Sequence, residues 1–201
     1  MARKFTEIAF TPLVKKLQSE RGSRETYARL EQTQENDRIE PRVAEFIRAR
    51  NSFYLGSKSE EGWPYIQFRG GPQGFLKILD DRTLGFADFH GNGQYLTTAN
   101  AISDNRVFLF LMDYAHRRRL KIWGRMELIG LDHPWIAQLR DDEYPAEVQQ
   151  GMVIHVEAWD WNCHQHIPIK LDTDEVAAIV EPLEARIADL EAQLAQRSSL
   201  R

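Results

Sequence analysis

Between residues 52 and 161 the chain is a series of short alternating or apolar stretches separated by turn formers, and this pattern limits the fold most. Residues 52–56 form a short aromatic-rich stretch, closed by the turn-forming run Ser57-Lys58-Ser59-Glu60-Glu61-Gly62. Residues 63–69 then alternate, with Tyr65, Gln67 and Arg69 on one face and Ile66 and Phe68 on the other. Residues 75–79 and 83–89 flank Asp80-Asp81-Arg82, which reads as a hairpin. Residues 107–112 are continuously apolar, the pattern of a strand buried on both faces. Residues 119–129 alternate again, setting Arg119, Lys121, Trp123 and Arg125 against Leu120, Ile122, Gly124 and Met126, and 152–161 supply a last strand. About six strands with short, glycine-bearing connections predict a mainly β fold: a small closed antiparallel barrel with flanking helices.

Helical spacing brackets this region. Thr11-Pro12 starts a helix through Val14 and Leu17 that Gly22 can stop, and Val43, Phe46 and Ile47 share one face of a second helix over 41–50. Residues 23–40 are charged and weakly periodic, either helix or surface arm. At the other end, Asp172-x-x-Glu175 resembles a capping box. Beyond it, Val176, Val180, Leu183, Ile187, Leu190 and Leu194 recur in four- and three-residue steps, a coiled-coil seam of under three heptads interrupted by Pro182. The organisation expected is a helical arm over 1–50 packing on the barrel, the barrel over 51–171, and a coiled-coil-like helix over 172–201. That helix either packs on its own barrel or pairs between subunits.

The totals exclude several classes. A formal charge of −4 offers nucleic acid no overall attraction. No run of about 18 apolar residues can span a bilayer, and MARKFTEIAF lacks an apolar core of signal-peptide length. One cysteine, Cys163, cannot make an intramolecular disulfide. These features lead to the expectation of a cytoplasmic protein with no nucleic-acid or membrane partner.

Four clusters can carry chemistry. Gln67-Phe68-Arg69-Gly70-Gly71-Pro72, followed by Gly74 and Lys77, has the composition of a phosphate cradle: glycines admit close backbone approach and arginine offers a planar fork. It is equally the composition of a plain loop. Phe86-Ala87-Asp88-Phe89-His90-Gly91-Asn92-Gly93-Gln94-Tyr95 leaves a strand for a short helix, a junction whose amides can meet an anion or the polar edge of a ring. It is neither a Walker A loop nor a dinucleotide fingerprint. Arg117-Arg118-Arg119-Leu120-Lys121 concentrates positive charge, with Arg117, Arg119 and Lys121 on one strand face, unless these are solvated turn residues. In the fourth, Glu157-Ala158-Trp159-Asp160-Trp161-Asn162-Cys163-His164-Gln165-His166, adjacent Cys and His point to opposite faces and no second ligand pair exists, so no metal site is expected. Cys163 is either a nucleophile beside a histidine or a buried thiol. Trp159 and Trp161 are either core or a stacking surface for a planar ligand. His90, His155 and His166 are candidate acids or bases by residue type alone, and no catalytic residue is assigned.

Taken in order, Arg69 to Phe75, Asp88 to Asn92 and Trp161 to Ile167 resemble the pyridoxamine 5′-phosphate oxidase-related split-barrel family, over roughly residues 40 to 170. The resemblance implies a six-stranded antiparallel split barrel, a homodimer, and FMN held in two grooves between subunits. By position it implies that Arg69 and Lys77 hold the FMN phosphate and that Phe86, Ala87 and Asp88 line the isoalloxazine edge. Asn92 and Gln94 fall in the loop meeting phosphate and ribityl chain, where relatives often carry Arg or Lys. Arg119 and Lys121 fall on a strand that reaches the flavin, and Glu157-Ala158-Trp159 matches the start of a signature whose Trp touches the flavin from the partner subunit. Where the oxidase signature has an arginine and a histidine for pyridoxal phosphate, this chain has Gln165 and Ile167, which argues against vitamin B6 oxidation. What remains is an FMN-dependent oxidoreductase acting on a small molecule or NAD(P)H. The alternatives are a flavin- or haem-binding module without turnover and an assembly protein that recruits a partner through its C-terminal seam.

Overall fold

The structure is a computed structural model and describes residues 4–33, 36–161 and 164–199. Asn162 and Cys163, and with them the thiol alternatives, lie outside the described residues. The chain divides into two compact units: residues 1–113 with 118–164, and 114–117 with 165–201.

The first unit opens with four helices. α1 (Phe5–Ala9) is too short to show a period in the sequence, whereas α2 (Pro12–Glu20) has the expected start: Thr11 Oγ1 accepts from the Val14 amide and Pro12 opens the first turn. Gly22 ends it at φ +75°, a conformation glycine adopts without cost. α3 (Arg24–Thr33) takes the helical alternative for the charged stretch. α4 (Pro41–Arg48) buries Val43, Phe46 and Ile47, the apolar face its spacing predicts.

Seven strands follow: β1 (Ser52–Lys58), β2 (Pro64–Gly70), β3 (Lys77–Asp80), β4 (Thr83–Phe89), β5 (Arg106–Asp113), β6 (Arg118–Ile129) and β7 (Val148–Trp161), with α5 (Leu96–Ser103) and α6 (Ile136–Leu139) between them. All pairings are antiparallel, in the order β2-β1-β5-β6-β7-β4-β3. The expected barrel of six strands is therefore corrected twice: every one of the seven stretches forms a strand, and the sheet is open. Its last strand, β3, has four residues, a register shift between Ile78 and Asp80, and pairing to β4 alone, so it cannot carry the ladder on to β2.

Burial corrects a second expectation. β5 is not covered on both faces: Val107, Leu109 and Leu111 are buried, while Phe108 and Phe110 on the other face are only partly covered. The strand enclosed on both faces is β4, buried from Thr83 to Asp88. On one side Leu84 and Phe86 join the main core with α4, β1 and β5 to β7; on the other, Ala87 packs with Ile129, Val153 and α6. β6 and β7 approach closely at Gly124, where a Cβ would stand 2.6 Å from Ile154 Cγ2 and 2.8 Å from the His155 carbonyl oxygen. Only glycine fits there.

In the second unit, α7 (Thr173–Ser199) begins with the capping box its sequence predicts: Glu175 N–H donates to Asp172 Oδ1 (3.0 Å) and Asp172 N–H to Glu175 Oε2 (2.9 Å). Pro182 is accommodated inside the helix, and Lys170 Nζ lies 4.9 Å from the Tyr114 ring centroid.

Candidate functional site

β2 is an edge strand with inverted sidedness. Its apolar residues Ile66 and Phe68 are exposed at 68% and 59%, while Tyr65, Gln67 and Arg69 on its polar face are partly buried. That polar face forms one wall of a pocket whose other walls are Asp88 of β4, the loop through Gly91, Asn92, Gly93 and Gln94, the first turn of α5, and Gln149.

At its floor the Arg69 guanidinium donates to Asp88 Oδ1 (2.7 Å), with both side chains largely buried (16% and 10% exposed). A second arm of Arg69 lies 3.8 Å from Met152 Sδ, and its Cζ stands 5.6 Å from the Phe86 ring centroid. Arg69 Nε is buried with no hydrogen-bond partner. Asp88 is held a second time by Gln150 Nε2 (2.9 Å), which also donates to Thr98 Oγ1 (3.0 Å), and Thr97 Oγ1 donates to Gln67 Oε1 (2.7 Å). These bonds tie β2, β4, β7 and the start of α5 into one network.

α5 enters from Tyr95 in the left-handed region (φ 53°) with no side-chain cap, so its first-turn amides lack the usual side-chain acceptor. Leu96, Thr97 and Thr98 of that turn line the pocket. Gly93, at φ +72°, gives the loop a tight bend, and Asn92 Oδ1 accepts from the Gln94 amide (3.2 Å). The pocket thus combines an arginine, a helix N-terminus, and polar side chains of both hydrogen-bonding senses. Such a set suits an anionic or polar ligand group. The Arg69 charge is already shared with Asp88, so the pocket carries less positive field than its arginine alone would give.

The structure therefore gathers Gln67, Arg69, Asp88, Asn92 and Gln94 of the sequence candidates. The others do not line this pocket. Lys77 stands on edge strand β3 opposite Gly85. Phe86 is core and supports Arg69 from beneath, and Ala87 faces the second apolar cluster. Arg119 and Lys121 lie on the face of β6 turned away from buried Leu120 and Ile122. There Lys121 pairs with Asp160 (2.6 Å) and approaches the rings of Phe5 and Trp123. Burial pushes the Asp160 carboxyl above the usual aspartate range, partly offset by Lys121. Arg118 pairs with Asp113 (2.8 Å), and Arg117 sits in the β5–β6 turn at φ 52°. Trp159 is core, its indole N–H donating to the Arg38 carbonyl (2.6 Å), and Trp161 packs on Phe46 (4.9 Å between centroids). His155 pairs with Glu127 and His90 with Gln149, and no cluster of metal-ligating residues occurs among the described residues. No helix there is long and apolar enough to cross a membrane.

Gln149, Gln150, Thr97 and Thr98 were not among the sequence candidates. The one available signal was the pair Gln149-Gln150 entering an otherwise apolar strand, legible only once β7 is known to begin at Val148.

No family model and no curated protein matches the chain. Solved structures do. A putative pyridoxamine 5′-phosphate oxidase from Lactobacillus delbrueckii aligns over 62% of this chain and 94% of its own, at 16% identity and a TM-score of 0.49. The HupZ protein of Group A Streptococcus aligns over 66% and 99% at 17% identity, with a TM-score of 0.48. An FMN-binding protein from Syntrophomonas wolfei aligns over 72% and 97% at 11% identity, with a TM-score of 0.46.

Proposed function

We propose that this chain is an FMN-binding member of the pyridoxamine 5′-phosphate oxidase-related split-barrel family. In this reading it is a cytoplasmic homodimer acting as an oxidoreductase on a small organic molecule or on NAD(P)H. The observation that carries this is the Arg69–Asp88 pocket: it joins the two glycine-bearing motifs of the family resemblance at an edge strand whose opposite face is apolar and exposed.

The residues present fit the polar end of FMN. The Arg69 guanidinium and the amides opening α5 would receive the phosphate; Gln67, Asn92 and Gln94 would bond the ribityl chain. When bound, FMN supplies hydride or single-electron transfer. The protein's part is position and field. Asp88 and the Phe86 ring hold the Arg69 fork in one orientation, Gln150 holds Asp88, and Thr97 holds Gln67. Tyr54, Ile66 and Phe68, exposed at 39%, 68% and 59%, form the apolar patch a second copy would cover, shielding a groove beside β2 from water.

Titration of the flavin-free protein with FMN, followed by quenching of flavin fluorescence, tests the reading. Saturable binding by the parent is expected, with affinity about 10- to 100-fold weaker for Arg69→Ala, the scale of one lost charge-assisted contact. Absence of binding by the folded parent contradicts the reading. NADPH oxidation by the FMN-loaded protein tests turnover separately.

A further inference from the structure

The heptad register of α7 places Val176, Leu183 and Leu190 at d and Val180, Ile187 and Leu194 at a, and all six are exposed, between 39% and 63%. In the central layers Val180 and Ile187 at a with Leu183 and Leu190 at d form the β-branched-a, leucine-d pattern that favours two-stranded parallel coils. The flanking charges make the same choice. Arg186 falls at g and Glu191 at the following e, so in a parallel in-register pair each Arg186 faces Glu191 of the other copy. In an antiparallel pair with 176 facing 194, e positions face e and g positions face g, which sets Glu184 against Glu184 and Arg186 against Arg186 of the other copy. Arg186 bonds only Asp189 of its own helix (2.6 Å), and both side chains are more than half exposed, so this pair restrains it weakly. Pro182 falls at c, on the outer side, where its missing N–H does not touch the seam.

We infer that α7 pairs with α7 of a second copy of this chain as a parallel, in-register two-stranded coiled coil. Under three heptads pair weakly on their own. The association therefore gains from any other contact between the same two copies, which raises the local concentration of the helices. The inference does not depend on what the pocket binds.

The full chain is tested in a Cys163→Ser background, so that an introduced cysteine is the sole thiol. With Val176→Cys, a short bis-maleimide is expected to yield a covalent dimer joined at position 176, whereas outward-facing Ala185→Cys reacts at least about tenfold less. In an antiparallel pair the residue facing 176 would be near 194, and the two copies of 176 would lie about 27 Å apart. Glu191→Lys, which opposes Arg186, is expected to reduce the 176 cross-link several-fold, and Arg186→Glu added to it to restore the yield. No cross-link at 176 in a chain of unchanged helical content overturns the inference. So do a cross-link between 176 and 194 when both carry cysteine, and a charge exchange that fails to restore the yield.

Discussion

β2 and β4 both supply the pocket, yet they are opposite kinds of strand. β4 is apolar around almost its whole circumference and enclosed by packing on two sides, contributing a single carboxylate, Asp88, at its end. β2 has one neighbour, turns its polar side toward the pocket, and leaves Ile66 and Phe68 in solvent. One strand fixes where the site is; the other leaves an apolar face in solvent, which the proposed dimer would cover. Position and completion are thus separate tasks, and mutations should separate them.

The largest effect falls on β4. Leu84→Ala removes a fully buried side chain and should cost about 3 kcal/mol, independent of protein concentration. Urea unfolding at two concentrations measures this, and a loss below about 1 kcal/mol would break the contrast. Gln150→Leu comes next. It takes one of two partners from the largely buried Asp88 carboxylate, a loss of about 1.5 kcal/mol of charge-assisted bonding, and should weaken FMN binding without dissociating the protein. Titration beside sedimentation velocity checks both halves. Ile66→Ser on β2 should change the stability of dilute, monomeric protein by less than about 0.5 kcal/mol. The same substitution should lower the melting temperature of concentrated protein, where association matters. An equal shift at both concentrations would show that this face is not covered.

How much of this could be read from residue order follows the same division. The alternation of β2 announced its two faces, and the spacing of Val43, Phe46 and Ile47 announced the buried side of α4. The apolar run of β5 misled because Phe108 and Phe110 read as core, whereas they lie on the partly covered face; a run of apolar letters does not say what covers each side. The motif residues Arg69 and Asp88 were legible, but not their union, which depends on the sheet order β2-β1-β5-β6-β7-β4. Gln150 lies 62 residues from the carboxylate it holds, and Thr98 becomes relevant only through Gln150. Trp159 and Trp161, open between core and ligand in the sequence, turn out to pack beneath α4 and the chain before it.

The smallest effect sharpens the contrast at the far end of α5. Hydrogen bonds from Arg106 and Lys58 hold the Asp104 carboxyl well below the usual aspartate range. Its folded-state value lies below its unfolded one, so the stability it adds is present above about pH 4 and is lost as pH falls further. Asp104→Asn should therefore lower the urea midpoint slightly at pH 7 and by less near pH 2, where part of the contribution has been lost. A loss of equal size at both pH values would mean that the carboxylate charge is not what ties α5 to β1 and β5.

The visible spectrum of freshly purified protein, with mass spectrometry of any released chromophore, tests the central claim most directly. The account predicts the two absorption bands of oxidised flavin and release of FMN, or their appearance once FMN is added. A folded protein that is colourless and takes up no FMN would contradict it.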